Sequence, residues 1–231
     1  MRVLPTIYWD IYAFFYERMK DFPIYQSMME EVYNSLDVRK NGVYLDIGCG
    51  TGEFLKMLSE NCKKAYGIDS SRFMLKMAMK KTSNSQKIST FQGDVTKNLP
   101  FKDEFFDGVA CIHVINYLET PRNLLLEIHR ILKTNGRLSL VSIKKLDPSN
   151  FLEHYRQFLR NNKAKAIKSL SSYISIGILN APMKFRYKVH YYDEKSLEKF
   201  LKDAGFRNIH TKNIYADQSI LPFANERMLK M

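Results

Sequence analysis

Cysteine is scarce in this sequence, and the cysteines present do not pair. The 231 residues include Cys49, Cys62 and Cys111 and no others. They form no CxxC pair and no metal-ligand cluster, so neither a disulfide framework nor a zinc ribbon is expected. His129, His154, His190 and His210 also lack metal-ligand spacing, and no metal site is expected. No run of about 18 apolar residues occurs, which excludes a membrane-spanning helix. The opening MRVLPTIYWD lacks the basic-then-apolar layout of a secretion signal. No internal repeat or low-complexity tract interrupts the chain. These absences lead us to expect a soluble cytoplasmic protein, with its thiols reduced, built as a single domain.

Acidic residues are also in deficit. There are 24 acids against 36 lysines and arginines, a net charge of +12, and 45% of the chain is hydrophobic. The excess is uneven: residues 144–188 hold ten lysines and arginines against only Asp147 and Glu153. A positive segment favours anions such as nucleic acid or a lipid surface, although a lysine-rich solvated face reads the same way.

The apolar pattern organises the rest. Tyr8, Tyr12, Tyr16 and Met19 recur at helical spacing, and a second helix is expected over Ile24–Leu36. Strands and helices then alternate. Strands are expected at Val43–Ile47, Ala65–Ile68, Ile88–Gln92, Phe106–Ile112 and Arg137–Ile143. Helices are expected at Glu53–Glu60, Ser71–Lys81 and Pro121–Leu132, the last ending at Asn135-Gly136. Residues 144–188 break this rhythm with a helical period, followed by a strand-like alternation from Phe185 to Tyr191. A helix over Asp193–Ala204, a sixth strand at Arg207–Tyr215 and a seventh at Glu226–Met231 complete the expectation. The pattern predicts an α/β fold with a doubly wound, mostly parallel seven-stranded sheet, N-terminal helices and a helical insertion after strand 5. The parts would be N-terminal helices over 1–40, a core over 41–143, an insertion over 144–190 and the rest of the core over 191–231.

The chemistry concentrates at the end of the first strand, Leu45-Asp46-Ile47-Gly48-Cys49-Gly50-Thr51-Gly52. Glycine lets a backbone turn sharply and lets a ligand approach closely. Ligands of open α/β sheets bind at this carboxyl edge. A dinucleotide loop would carry a further glycine where Glu53 stands, and a P-loop would end in Gly-Lys-Ser/Thr. Neither is present, so a cofactor without phosphates suits the loop better. Asp69 ends the second strand, where its carboxylate can accept from the two hydroxyls of a ribose or, more plainly, cap the next helix. Asp94 follows the third strand, where it can meet an adenine amino group or simply close a turn.

These residues carry a resemblance. LDIGCGTG at 45–52, GID at 67–69 and GD at 93–94 resemble the ordered cofactor motifs of class I S-adenosylmethionine-dependent methyltransferases. Phe105–Tyr117, Glu127–Ser142 and Tyr192–Phe206 resemble later segments of that family. The likeness covers roughly residues 40–143 and 190–215 and is closest to the broad group holding ubiquinone and menaquinone methylases, other small-molecule methylases and some tRNA-modifying methylases. It implies S-adenosyl-L-methionine as methyl donor and S-adenosyl-L-homocysteine as product. It also implies cofactor contacts from Asp46, Gly48, Cys49, Gly50, Gly52, Asp69, Ser70, Asp94 and Val95. Tyr8, Tyr12 and Tyr16 would form a lid helix over the cofactor, with an aromatic core helix as the competing reading.

The donor's methyl group is already electrophilic, so much of the remaining task is alignment of the acceptor. His113, just past strand four, is placed either to accept a proton or to wall the pocket with a hydrogen bond, and it would lie near the cofactor. Tyr12 is a second catalytic candidate. Asn116 and Tyr117 follow within reach of a ligand. No NPPY-type sequence occurs here, which argues against methylation of nucleobase amino groups or glutamine amides. A small-molecule or lipid-like acceptor under the insertion is expected, walled by Phe151, Tyr155, Phe158, Leu159, Leu170 and Tyr173, with Lys163, Lys165 and Lys168 for an anionic acceptor or lipid headgroups. RNA held by the basic segment and the Lys184–Lys188 alternation is the alternative. A non-catalytic cofactor-binding protein is a third.

Overall fold

In the computed structural model, the described residues are 9, 10, 12, 13, 16, 17, 23–144, 148–161, 163, 167, 170, 174, 189–214, 219–224, 226 and 227. Trp9, Asp10, Tyr12, Ala13 and Tyr16 have helical backbone. The elements then run α1 (Pro23–Leu36), β1 (Val43–Ile47), α2 (Glu53–Asn61), β2 (Lys64–Asp69), α3 (Arg72–Thr82), β3 (Ile88–Gln92) and β4 (Phe106–Ile112). After a 3-10 turn at Ile115–Tyr117 come α4 (Pro121–Ile131), β5 (Leu132–Ile143), α5 (Pro148–Asn161), α6 (Glu194–Asp203), β6 (Phe206–Arg207), β7 (His210–Ile214), β8 (Ser219–Ala224) and β9 (Glu226–Arg227).

Seven strands form one sheet in the order β3-β2-β1-β4-β5-β8-β7. The first five are parallel, and β8 runs antiparallel to β5 and to β7. From β1 the order runs outward to β2 and β3 on one side and to β4 and β5 on the other. The switch point therefore lies between β1 and β4, where such sheets bind ligands. Four of the five residues of β1 are buried, as a central parallel strand covered on both faces requires.

Alternate residues of one strand enter opposite cores. Tyr44 joins Met28, Val32 and Leu36 of α1, Phe54 and Leu58 of α2, and Phe158 of α5. Its neighbour Leu45 joins Leu124, Leu125 and Ile128 of α4 and Leu197 and Leu201 of α6. The expected doubly wound seven-stranded fold is present. α3 is capped by Ser71, whose hydroxyl accepts from Met74 N at 3.0 Å. Asp193 caps α6 by accepting from Ser196 N at 2.9 Å.

Two expectations need correction. Asn135-Gly136 does not end α4; that helix stops at Ile131, and β5 runs from Leu132 through both residues, with Asn135 at φ 65° and a register shift opposite Phe106 and Gly108. The seventh strand is Ser219–Ala224 rather than Glu226–Met231; Glu226–Arg227 pairs with Phe206–Arg207 outside the main sheet. Residues 228–231 lie outside the described residues, as do 175–188. Val189–Tyr191, the end of the expected strand-like alternation, has no regular structure. Among the described residues, no helix is long and apolar enough to cross a membrane, and no group of three His, Cys, Asp or Glu side chains could hold a metal ion.

Candidate cofactor and active site

The carboxyl ends of β1 to β4 open into one cavity of about 550 Å³. Its floor is the loop after β1. Gly48 and Cys49 donate their N–H groups to Ile68 O at 2.8 and 3.1 Å, which fastens the loop to β2. Gly48 has φ 69°, and a Cβ there would stand 2.3 Å from Val114 Cγ2. Gly52, at φ 81°, starts α2, and its Cβ would stand 2.9 Å from that of Ala78 on α3. Both positions therefore demand glycine on conformational and steric grounds.

Acids line this end of the cavity. Asp69 accepts from Gly50 N and Ser71 N, each at 2.9 Å, so its carboxylate is aimed by backbone while spare lone pairs remain. Burial nevertheless pushes its pKa up. Asp46 is 2% exposed, and among the described residues no hydrogen bond reaches its carboxylate. Burial, then the charge of Asp69, raises its pKa well above the usual range. A buried carboxylate on a cavity wall without a donor fits a ligand that brings a cation, such as the amino group of S-adenosylmethionine. Asp94 accepts from Thr96 N at 2.9 Å and from Thr96 Oγ1 at 2.7 Å, which closes the turn after β3. Burial opposes its ionisation, but those bonds and Lys97 outweigh it and lower its pKa.

Aromatic rings complete the lining. Trp9, Tyr12, Tyr16, Tyr25 and Tyr117 all line the cavity. Trp9 stands edge-on to Tyr117 at 5.0 Å and to Tyr12 at 5.7 Å; Tyr12 lies 5.6 Å from Tyr16, and Tyr16 6.0 Å from Tyr25. The Tyr16 and Tyr25 hydroxyls are hydrogen-bonded at 3.1 Å. Burial pushes both phenols up, so they stay protonated.

His113 follows β4 in the left-handed region, at φ 59°, and its imidazole lines the same cavity. Nε2 lies 3.1 Å from Ser219 Oγ on β8. Burial lowers its pKa to about 4, so the ring is neutral at pH 7.

The cavity thus gathers Asp46, Gly48, Cys49, Gly50, Asp69, Ser70, Asp94, Val95, His113, Tyr12 and Tyr16. Gly52 shapes the loop without lining the cavity, and Tyr8 lies outside the described residues. The Cys49 thiol is buried and its pKa raised, by burial first and then by Asp46 and Asp69, which keeps it protonated. Asn116 is not at the cavity. It is fully buried, and its amide ties the turn after β4 to Ser142, Ile143 and His190. Among the described residues none from 144–190 lines the cavity. Phe158 is buried in the core and Leu170 is 38% exposed; Tyr173, Lys165 and Lys168 lie outside the described residues. Sequence reasoning did not single out Trp9, Tyr25 or Ser219. Tertiary packing brings them in, and no local spacing marks them.

This arrangement has relatives. A family model described as a methyltransferase domain matches residues 45–140. An uncharacterized protein of Methanocaldococcus jannaschii is 29% identical over 191 residues, covering 81% of this chain and 70% of that protein. A demethylmenaquinone methyltransferase of Staphylococcus saprophyticus is 25% identical over 214 residues, covering 86% of this chain and 85% of that enzyme. The N-methyltransferase NodS of Bradyrhizobium japonicum, solved with S-adenosyl-L-homocysteine, has the same fold, with a TM-score of 0.64 at 18% identity over 90% of each chain. The glycine loop, the acids that follow it and the sheet order agree with these similarities: residues 45–140 match a methyltransferase domain, and the chain has the fold of S-adenosylmethionine-dependent methyltransferases.

Proposed function

We propose that the enzyme methylates a small-molecule or lipid-like acceptor held against the aromatic rings of this cavity. The observation that carries the reading is the lining, in which the acids around the glycine loop share one cavity with the rings of Trp9, Tyr12, Tyr16 and Tyr117. Aromatic faces suit a flat or apolar acceptor, whereas a polynucleotide needs an open cationic groove. That one curated relative is a demethylmenaquinone methyltransferase supports the same class.

In this reading the whole chain acts as one domain. Asp46 meets the amino group of the donor, Asp69 its ribose hydroxyls, and Asp94 with Val95 its adenine. Gly48, Cys49, Gly50 and Ser70 form the walls between them, and Gly52 sets the loop's exit. Bound there, S-adenosylmethionine supplies an electrophilic methyl group and is left as S-adenosylhomocysteine. The lid helix, with Tyr12 and Tyr16, excludes water from the cavity. The neutral imidazole of His113 accepts a hydrogen bond from a protonated acceptor and aligns it, and Tyr12 orients the acceptor's far edge. Residues 144–190 bring the cationic surplus to an anionic acceptor or to the lipid surface that holds one.

The deciding experiment transfers labelled methyl from the donor into a host extract, which is then fractionated. Label in the small-molecule or lipid fraction supports the proposal. Label in RNA, with binding that falls steeply with salt, overturns it.

A further inference from the structure

Lys81, on α3, does not line the cavity, yet it touches two things that do or that carry what does. Its Nζ lies 2.8 Å from Glu53 Oε2 and 3.4 Å from Thr51 Oγ1, both residues of the cavity floor. It also lies 2.7 Å from Glu17 Oε1, in the segment that supplies Trp9, Tyr12 and Tyr16. The lysine side chain is 15% exposed, Glu17 23% and Glu53 31%, so solvent screens the cluster only in part. An ammonium has three protons to donate, and here three acceptors surround it.

We propose that Lys81 is a positioning residue that ties the N-terminal segment to the glycine loop and so sets how long the cofactor stays enclosed. The inference rests on the cofactor reading of the cavity given above. The two ion pairs are unequal in what they join. Lys81 to Glu53 links α3 to the start of α2, two packed elements of the core. Lys81 to Glu17 crosses to the segment that brings Trp9, Tyr12 and Tyr16 to the cavity, its roof. Lifting the roof breaks the second pair and leaves Lys81 neutralised by the first, so the charge left behind on α3 is not stranded. Without Lys81, Glu17 and Glu53 face the same point with no cation between them, and their repulsion favours the lifted roof. The Ser71–Asp10 hydrogen bond and the Tyr16–Tyr25 hydroxyl pair fasten the same segment at two other points. Neither contains a cation, whereas the Lys81 tie is an ion pair and should weaken with salt.

The test uses the full chain and S-adenosylhomocysteine, with dissociation followed by stopped flow. Lys81→Met keeps the stem and removes the charge; Glu17→Gln removes only the roof-side partner and leaves the core pair intact. Both should release the ligand about fivefold faster or more, as loss of a partly buried pair predicts, while the melting temperature of the ligand-free Glu17→Gln protein stays at the wild-type value. Lys81→Arg should restore the slow release to within about twofold. Wild-type release should quicken with added salt, and Glu17→Gln release should quicken less. Release rates for Lys81→Met and Glu17→Gln within twofold of wild type overturn the proposal while leaving the cofactor reading intact. Wild-type protein that binds no S-adenosylhomocysteine overturns both.

Discussion

Asp46 illustrates at the scale of one residue what this site asks of its fold. Its carboxylate is held at the end of β1 with almost no solvent and no donor among the described residues. Because the folded state raises its pKa, the stability linked to this group is present below its unfolded value and is lost as pH rises through the raised one. Asp46→Asn should therefore raise the melting temperature of the ligand-free protein at pH 7, by about 2–4 °C if the gain is about 1 kcal/mol. The same change should weaken cofactor affinity by about tenfold or more in calorimetry. Wild-type affinity should fall as pH drops through the raised value, since the ligand's cation must then displace a proton, and the asparagine variant should lose that dependence. His113 has the opposite sign. Its pKa is depressed to about 4, so the stability it contributes is fully present above about pH 6.5 and is lost as pH falls toward 4. His113→Asn keeps a residue tolerant of φ 59° and should flatten that acid loss in denaturant titrations between those two values.

Among the elements, the loop between β1 and α2 carries the strictest demand. Gly52→Ala places a Cβ at φ 81° and 2.9 Å from the Cβ of Ala78, whose own backbone lies 3.1 Å away. A cost of about 1–3 kcal/mol in chemical denaturation is expected, together with loss of cofactor binding. How legible such features were depended on whether the signal was local. β1, β3 and β4 sit where the sequence pattern places them, because glycines close β1 and β3 and Asp103-Glu104 precede β4. The left-handed Asn135 within β5 gives the same Asn-Gly signal as a helix terminus, which hid the first five residues of that strand. β8 was hidden by Pro222. The proline sits opposite Thr211, while pairing to β5 passes from Ser139↔Phe223 to Ser142↔Ile220 without it, so the missing N–H is absorbed in a gap in the ladder. The acids and glycines of the floor could be read because each ends a strand. Trp9, Tyr25 and Lys81 could not, since they meet the floor only across the folded chain.

Across the whole molecule, charge and chemistry are set apart. Among the described residues, carboxylates and no lysine or arginine line the cavity, whereas two thirds of the net positive charge lies in residues 144–188. In that stretch Ile167, Leu170 and Ile174, at helical backbone positions three and four apart, are 55%, 38% and 51% exposed. A basic stretch with an exposed aliphatic stripe suits an anionic lipid surface. Cosedimentation with vesicles containing anionic lipid should therefore exceed that with neutral vesicles by about tenfold at low salt, and Ile167→Ser with Ile174→Ser should reduce it severalfold. Equal binding to both vesicle types would remove the membrane from the proposed function.

Trp9 is the chain's single tryptophan, and it stands edge-on to Tyr117 inside the cavity. The protein therefore carries its own optical reporter. Ultraviolet emission excited at the tryptophan comes from one place, the wall where the roof meets the turn after β4. Its intensity and wavelength follow the wetting and drying of that wall without any attached dye.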